Sequence, residues 1–155
     1  MRMEELEAVV RQAAVDLVAR EPHPFPPAVA LPLPDATRVT TFPDFPDDDR
    51  ERFDLLSRFA GGVVLPANAP AYGFVGEAVL DAGGEPVDVV VVVCGARRRR
   101  AVVAAAPRTD EGLGEFGPSE ELDPTSMPFL APLQHAVDAA RPPEDGGTPL
   151  PVVIG

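Results

Sequence analysis

The stretch AYGFVGEAVLDAGGEPVDVVVVVCGARRRRAVVAAAP, residues 71–107, holds the densest apolar sequence in the chain, and its reading decides the fold. It reads as three β-strands joined by two tight turns. The first, Ala71–Asp81, alternates: Tyr72, Phe74, Ala78 and Leu80 share one face, and Val75, Glu77 and Val79 share the other. Gly83 and Gly84 supply the positive φ that a hairpin turn needs. The second strand, Val87–Cys94, is an almost unbroken valine run, which argues burial on both faces and a central position. A turn around Gly95–Arg98 leads into the third, Arg100–Ala106, whose alanines let a helix approach closely. Strands linked by hairpins form an antiparallel meander, which excludes a doubly wound parallel sheet.

Three helices are expected to cover this sheet. In residues 2–21, Met3, Leu6, Val10, Ala13 and Leu17 recur at spacings of three and four and make one apolar stripe. Pro22 and Pro24 stop that helix. A middle helix begins after Pro46 with Asp47, Asp48 and Asp49 at its N-cap and first turn, where carboxylates satisfy free N–H groups. Phe53, Leu56, Ala60 and Val63 form its stripe, and a stop near Gly61 is expected. A last helix, Met127–Ala140, follows Thr125 and Ser126 as candidate N-caps, with Pro128 in its first turn. The expected class is therefore α+β: a three-stranded meander over 71–107, which Thr37–Phe42 can extend, packed against N-terminal, middle and C-terminal helices.

At 155 residues the chain suits one domain, taken as 1–141. Pro22–Asp35 is expected to be an extended, irregular connection, and 142–155 a mobile tail. The absence of Lys, with all thirteen basic residues Arg, fits a GC-rich genome rather than a functional demand. A net charge of −12 repels phosphate backbones and disfavours nucleic acid, while it suits a basic protein or peptide as partner. The single cysteine, Cys94, fits a reducing cytoplasm, and no apolar run is long enough to span a bilayer. An exposed edge strand could pair across a two-fold axis, but the residues leave the oligomeric state open.

Chemistry-bearing residues are few. Arg97, Arg98, Arg99 and Arg100 form the one basic patch in an acidic chain and can grip a phosphate or carboxylate. Glu77 is an acid between Val75 and Val79 on one strand face. Solvent exposure is its commoner reading; if buried, it needs a partner such as an Arg. His135 and Asp138 are one helical turn apart, the spacing of an oriented imidazole, whereas His23 has no acid, Cys or second His near it in sequence. Cys94 reads as a small buried hydrophobe. The acids from Asp44 to Asp54 lack the glycine and spacing of a calcium loop, so no metal is expected. Gly112, Gly114 and Gly117 spell G-x-G-x-x-G, but Pro118 and acids follow where a dinucleotide fingerprint needs a helix, so no cofactor is expected. The reading that follows is a non-catalytic interaction or accessory protein. The alternative is a small hydrolase or transferase that brings Glu77, His135, Asp138 and the Arg97–Arg100 turn together.

Overall fold

A computed structural model describes residues 2–141 of the chain; the tail expected at 142–155 lies outside them. Its architecture is α+β. A curled antiparallel sheet is covered by one helix on one face and two on the other.

The core of the sheet is the meander. Strands β3 (Ala71–Ala82) and β4 (Glu85–Ala96) pair along their full length. Gly83 and Gly84 form the two-residue turn between them, with φ of 67° and 90°, where any side chain would be strained. The Asp81 carboxylate accepts the Gly84 N–H at 2.9 Å and locks that turn. Strand β5 (Val102–Thr109) pairs with β4 from Cys94↔Val102 to Val89↔Pro107. The valine run is central, as its sequence implied: Val89, Val90, Val92, Val93 and Cys94 are all buried.

The sheet is larger than three strands. Strand β1 (Ala28–Pro32) lies between β3 and β2 (Thr37–Thr41), and its residues Ala28, Val29, Ala30 and Leu31 all belong to the buried core. This corrects the expectation of irregular chain over Pro22–Asp35. The prolines bracket a run, Ala28–Leu31, that keeps every N–H, and Pro32 falls beyond the last residue that pairs with β3. Two short strands, β6 (Gly112–Leu113) and β7 (Glu120–Glu121), line the outer side of β5. The order is β2-β1-β3-β4-β5-β6, with β7 also on β5.

The pleat divides the core in two. Val75, Val90, Val92, Cys94 and Ala104 meet α1 (Met3–Arg20), which buries Leu6, Val10 and Ala14. Each fully buried Leu or Val contributes roughly 1.5–3 kcal/mol. Gly73 allows this contact, since a Cβ there would lie 2.3 Å from a Val10 methyl. The opposite face presents Val29, Leu31, Tyr72, Phe74 and Val93 to α2 (Asp49–Phe59) and α3 (Ala131–Asp138). Asp48 is the N-cap of α2, its carboxylate accepting the Glu51 N–H at 3.1 Å.

Two helix ends differ from the sequence expectation. The α-helical bonding of α2 ends at Phe59, but the helix does not stop at Gly61: a wider π turn carries it through Ala60–Val64. The Leu65 N–H donates to the Ala60 carbonyl at 2.9 Å, and both glycines face open space, so nothing forces the chain out. At the C-terminal helix, Thr125 does not cap. Its N–H and hydroxyl bind the Asp123 carboxylate, and a turn of 3-10 helix, Pro128–Leu130, leads into α3.

Candidate functional site

The register of the sheet places the two sequence oddities of the meander apart. Glu77 pairs with Val90, five residues along β3 from the Tyr72–Gly95 pair beside the arginine turn. That is about 17 Å of strand. Glu77 also shares its face with Val75, on the α1 side, whereas Tyr72 faces α3. Glu77 and the Arg97–Arg100 turn therefore do not share a concavity.

Glu77 is partly buried, its side chain only 11% exposed, which corrects the solvent-facing reading. Its partner is Arg108, near the end of β5, whose guanidinium donates to Oε1 at 3.2 Å and is itself 14% exposed. The Phe25 N–H donates to Oε2 at 2.5 Å, and His23 Nδ1 lies 2.8 Å from Oε1. Arg108 also stacks over the Phe25 ring at 5.9 Å, and His23 Nε2 lies 3.8 Å from Asp88. A buried carboxylate needs this many donors to offset its lost hydration. The cluster thus fastens the arm before β1 onto the sheet. Neither His23 nor Arg108 could be matched to Glu77 from sequence, because their proximity depends on strand register.

The arginine turn, which joins β4 to β5, faces a cleft of about 790 Å³ between itself, the segment Glu121–Leu130 and α3. Tyr72, Leu122, Met127 and Leu130 give it an apolar floor, and Arg98, Arg99 and Arg100 stand along it. Gly95 makes room: a Cβ there would lie 2.3 Å from the Tyr72 ring and 2.7 Å from Gln134 Oε1. Burial, reinforced by Cys94 and Asp138, pushes the Tyr72 phenol far above its usual range, so it stays protonated. No family model, curated protein or solved structure matches the chain.

The carboxylates of the cleft are already engaged. Asp138 accepts the Arg98 N–H at 2.6 Å and the Gln134 amide at 2.9 Å, which holds the turn against α3 although Arg98 has a φ of 56°. Glu121 pairs with Arg100 at 2.7 Å. The two Thr125 hydrogen bonds hold the Asp123 carboxyl below its usual range. His135 also lines the cleft, but the structure gives it no hydrogen bond to Asp138; that carboxylate serves the turn instead. Arg97 points away, its backbone N–H donating to Pro70 and its guanidinium reaching the Ala140 carbonyl at 3.5 Å. The Arg98 and Arg99 side chains make no ion pair or hydrogen bond among the described residues. The structure thus gathers Arg98, Arg99, Arg100, His135 and Asp138 and leaves out Glu77 and Arg97.

Cys94 lies on the other face, buried beside α1. Burial, with a further rise from Glu7 partly offset by Arg11, pushes its thiol up to about 12. A protonated, inaccessible thiol has no nucleophilic role. Among the described residues no three His, Cys, Asp or Glu side chains are grouped to hold a metal, and no helix is long and apolar enough to cross a membrane.

Proposed function

We propose that this protein is a non-catalytic interaction protein whose cleft takes an acidic, partly apolar peptide segment of a partner. One observation carries the reading: every carboxylate of the cleft has an internal partner, while Arg98 and Arg99 have none among the described residues. Guanidinium groups beside an apolar floor recognise carboxylates bidentately, and the floor adds burial of aliphatic side chains. In a chain of net charge −12, the run Arg97–Arg100 makes this cleft the place best suited to an acidic ligand.

The net charge also supports a second reading, a basic partner on the acidic surface. The hydrolase or transferase reading has less support. It keeps His135 and Asp138 at the cleft but loses Glu77, and Asp138 is held by two donors that a general base would have to give up.

The test is fluorescence anisotropy with a labelled peptide of Asp and Glu flanking Leu, alongside a Lys-substituted counterpart. Saturable binding of the acidic peptide, weakened at least about tenfold by the double change Arg98→Ala and Arg99→Ala, is the expected outcome. Binding of the Lys peptide alone would support the second reading, and binding of neither would remove both.

A further inference from the structure

The two edges of the sheet are treated differently by the chain. The outer side of β5 is bonded along its length: β6 and β7 pair with its ends, and Gly117 and Gly114 N–H groups donate to the Ala105 and Pro107 carbonyls between them. The other edge, β2, pairs with nothing beyond β1 among the described residues.

The groups β2 leaves open can be identified. Antiparallel pairs alternate between exchanging hydrogen bonds and not. Phe42 N–H donates to Pro27 and Leu33 N–H to Ala36, which sets the phase of the β1–β2 ladder. Thr40 and Arg38 then bond inward to Val29 and Leu31, so Thr37, Val39 and Thr41 turn their N–H and C=O groups outward. No proline or bulge interrupts them, and Arg38 is the only charge on the strand. Beside this edge, on the α1 face, lies a groove of about 500 Å³ walled by Val9, Ala13 and Leu17 and by Val39, which is 42% exposed. Natural edges are usually blunted by charge, proline or cover, and this one has only the single charge of Arg38.

We infer that β2 is the self-association edge of this protein, pairing antiparallel with β2 of a second copy about a two-fold axis through Val39. The outward set is symmetric about Val39. A two-fold axis there sets Thr37 opposite Thr41 and Val39 opposite its own copy, and each of these pairs exchanges two hydrogen bonds. The charges also suit a second copy: Arg38 meets Thr40, so no like charges face each other at the seam. The two sheets become one, with the α1 grooves meeting over the paired Val39 side chains.

Sedimentation velocity on the full chain over a wide concentration range is the test. A reversible dimer is expected, weakened at least about tenfold by Val39→Pro, which removes an outward N–H and leaves the bonds to β1 in place. Val39→Cys supplies a measurement that does not depend on that variant's folding. Facing residues of such a pair have Cα atoms about 5.5 Å apart, within disulfide range, so oxidation of this variant should link the two copies. Arg38→Cys, whose copies would be offset along the strand, should not link. A monomer throughout, a dimer indifferent to Val39→Pro, or cross-linking of the Arg38→Cys variant instead of the Val39→Cys variant would each overturn the inference.

Discussion

The Glu77 cluster and the arginine cleft are two charged constellations of this molecule, and they lie on opposite faces of one sheet. At Glu77 a partly buried carboxylate has gathered Arg108, His23 and the Phe25 amide, and its side chain is only 11% exposed. At the cleft the arrangement is reversed: the acids are internally bound and two cations are left over. A charge whose partners all lie within the fold contributes to holding it, whereas one placed beside an apolar hollow without a partner is available to a ligand.

Glu77 is the position most sensitive to substitution. Glu77→Ala leaves the Arg108 guanidinium, 14% exposed, without its carboxylate. A loss of about 3–5 kcal/mol in denaturant unfolding is expected, with no direct effect at the cleft. A loss below about 1 kcal/mol would mean that the cluster is not what fastens the arm. Gly95→Ala comes next, because its Cβ would meet Tyr72 at 2.3 Å and Gln134 at 2.7 Å. Overpacking there should cost about 1–3 kcal/mol and narrow the cleft, so that stability and peptide affinity fall together.

Alkaline unfolding sharpens the account of the α1 face. The Cys94 thiol ionises near its ordinary 9.0 in the unfolded chain but only at about 12 when folded. Between those values the unfolded state binds fewer protons, so stability declines as pH rises from about 9 toward 12. Cys94→Ala should flatten part of that decline, although Tyr72, raised in the same direction, keeps the rest. A decline unchanged in the variant would remove Cys94 from the account. The smallest effect belongs to Arg100→Ala. Its bond to Glu121 is 2.7 Å long, but the two side chains are 81% and 59% exposed, so unfolding free energy should move by no more than about 0.5 kcal/mol.

Much of the fold was legible because it rests on local patterns. The valine run, the Gly83–Gly84 turn and the alternation that sets Tyr72 and Phe74 against Val75 and Glu77 all stand in the sequence as they stand in the sheet. The α1 stripe and the Asp48 cap follow equally local rules. Strand β1 was hidden because only Ala28–Leu31 lies free between prolines, and its strand character comes from neighbours on both sides rather than from its own composition. The site was legible only in part. The four arginines are conspicuous in sequence, yet which of them face a cavity depends on the turn, where Asp138 pins the Arg98 backbone and Arg97 reaches to Ala140 beyond α3. That Glu77 would find Arg108 and His23 is a matter of register across separate strands, which no spacing along the chain encodes.

Binding at the arginine cleft, as proposed, is separable from the structural role of Glu77. Titrating the acidic peptide into the wild-type protein, the Arg98→Ala, Arg99→Ala double variant and Glu77→Gln, with thermal melting of each, tests it most directly. The account predicts that the double variant loses at least about tenfold in affinity with stability within about 0.5 kcal/mol of wild type, while Glu77→Gln melts earlier and binds as before. Full affinity in the double variant, or binding lost in a still-folded Glu77→Gln, would contradict it.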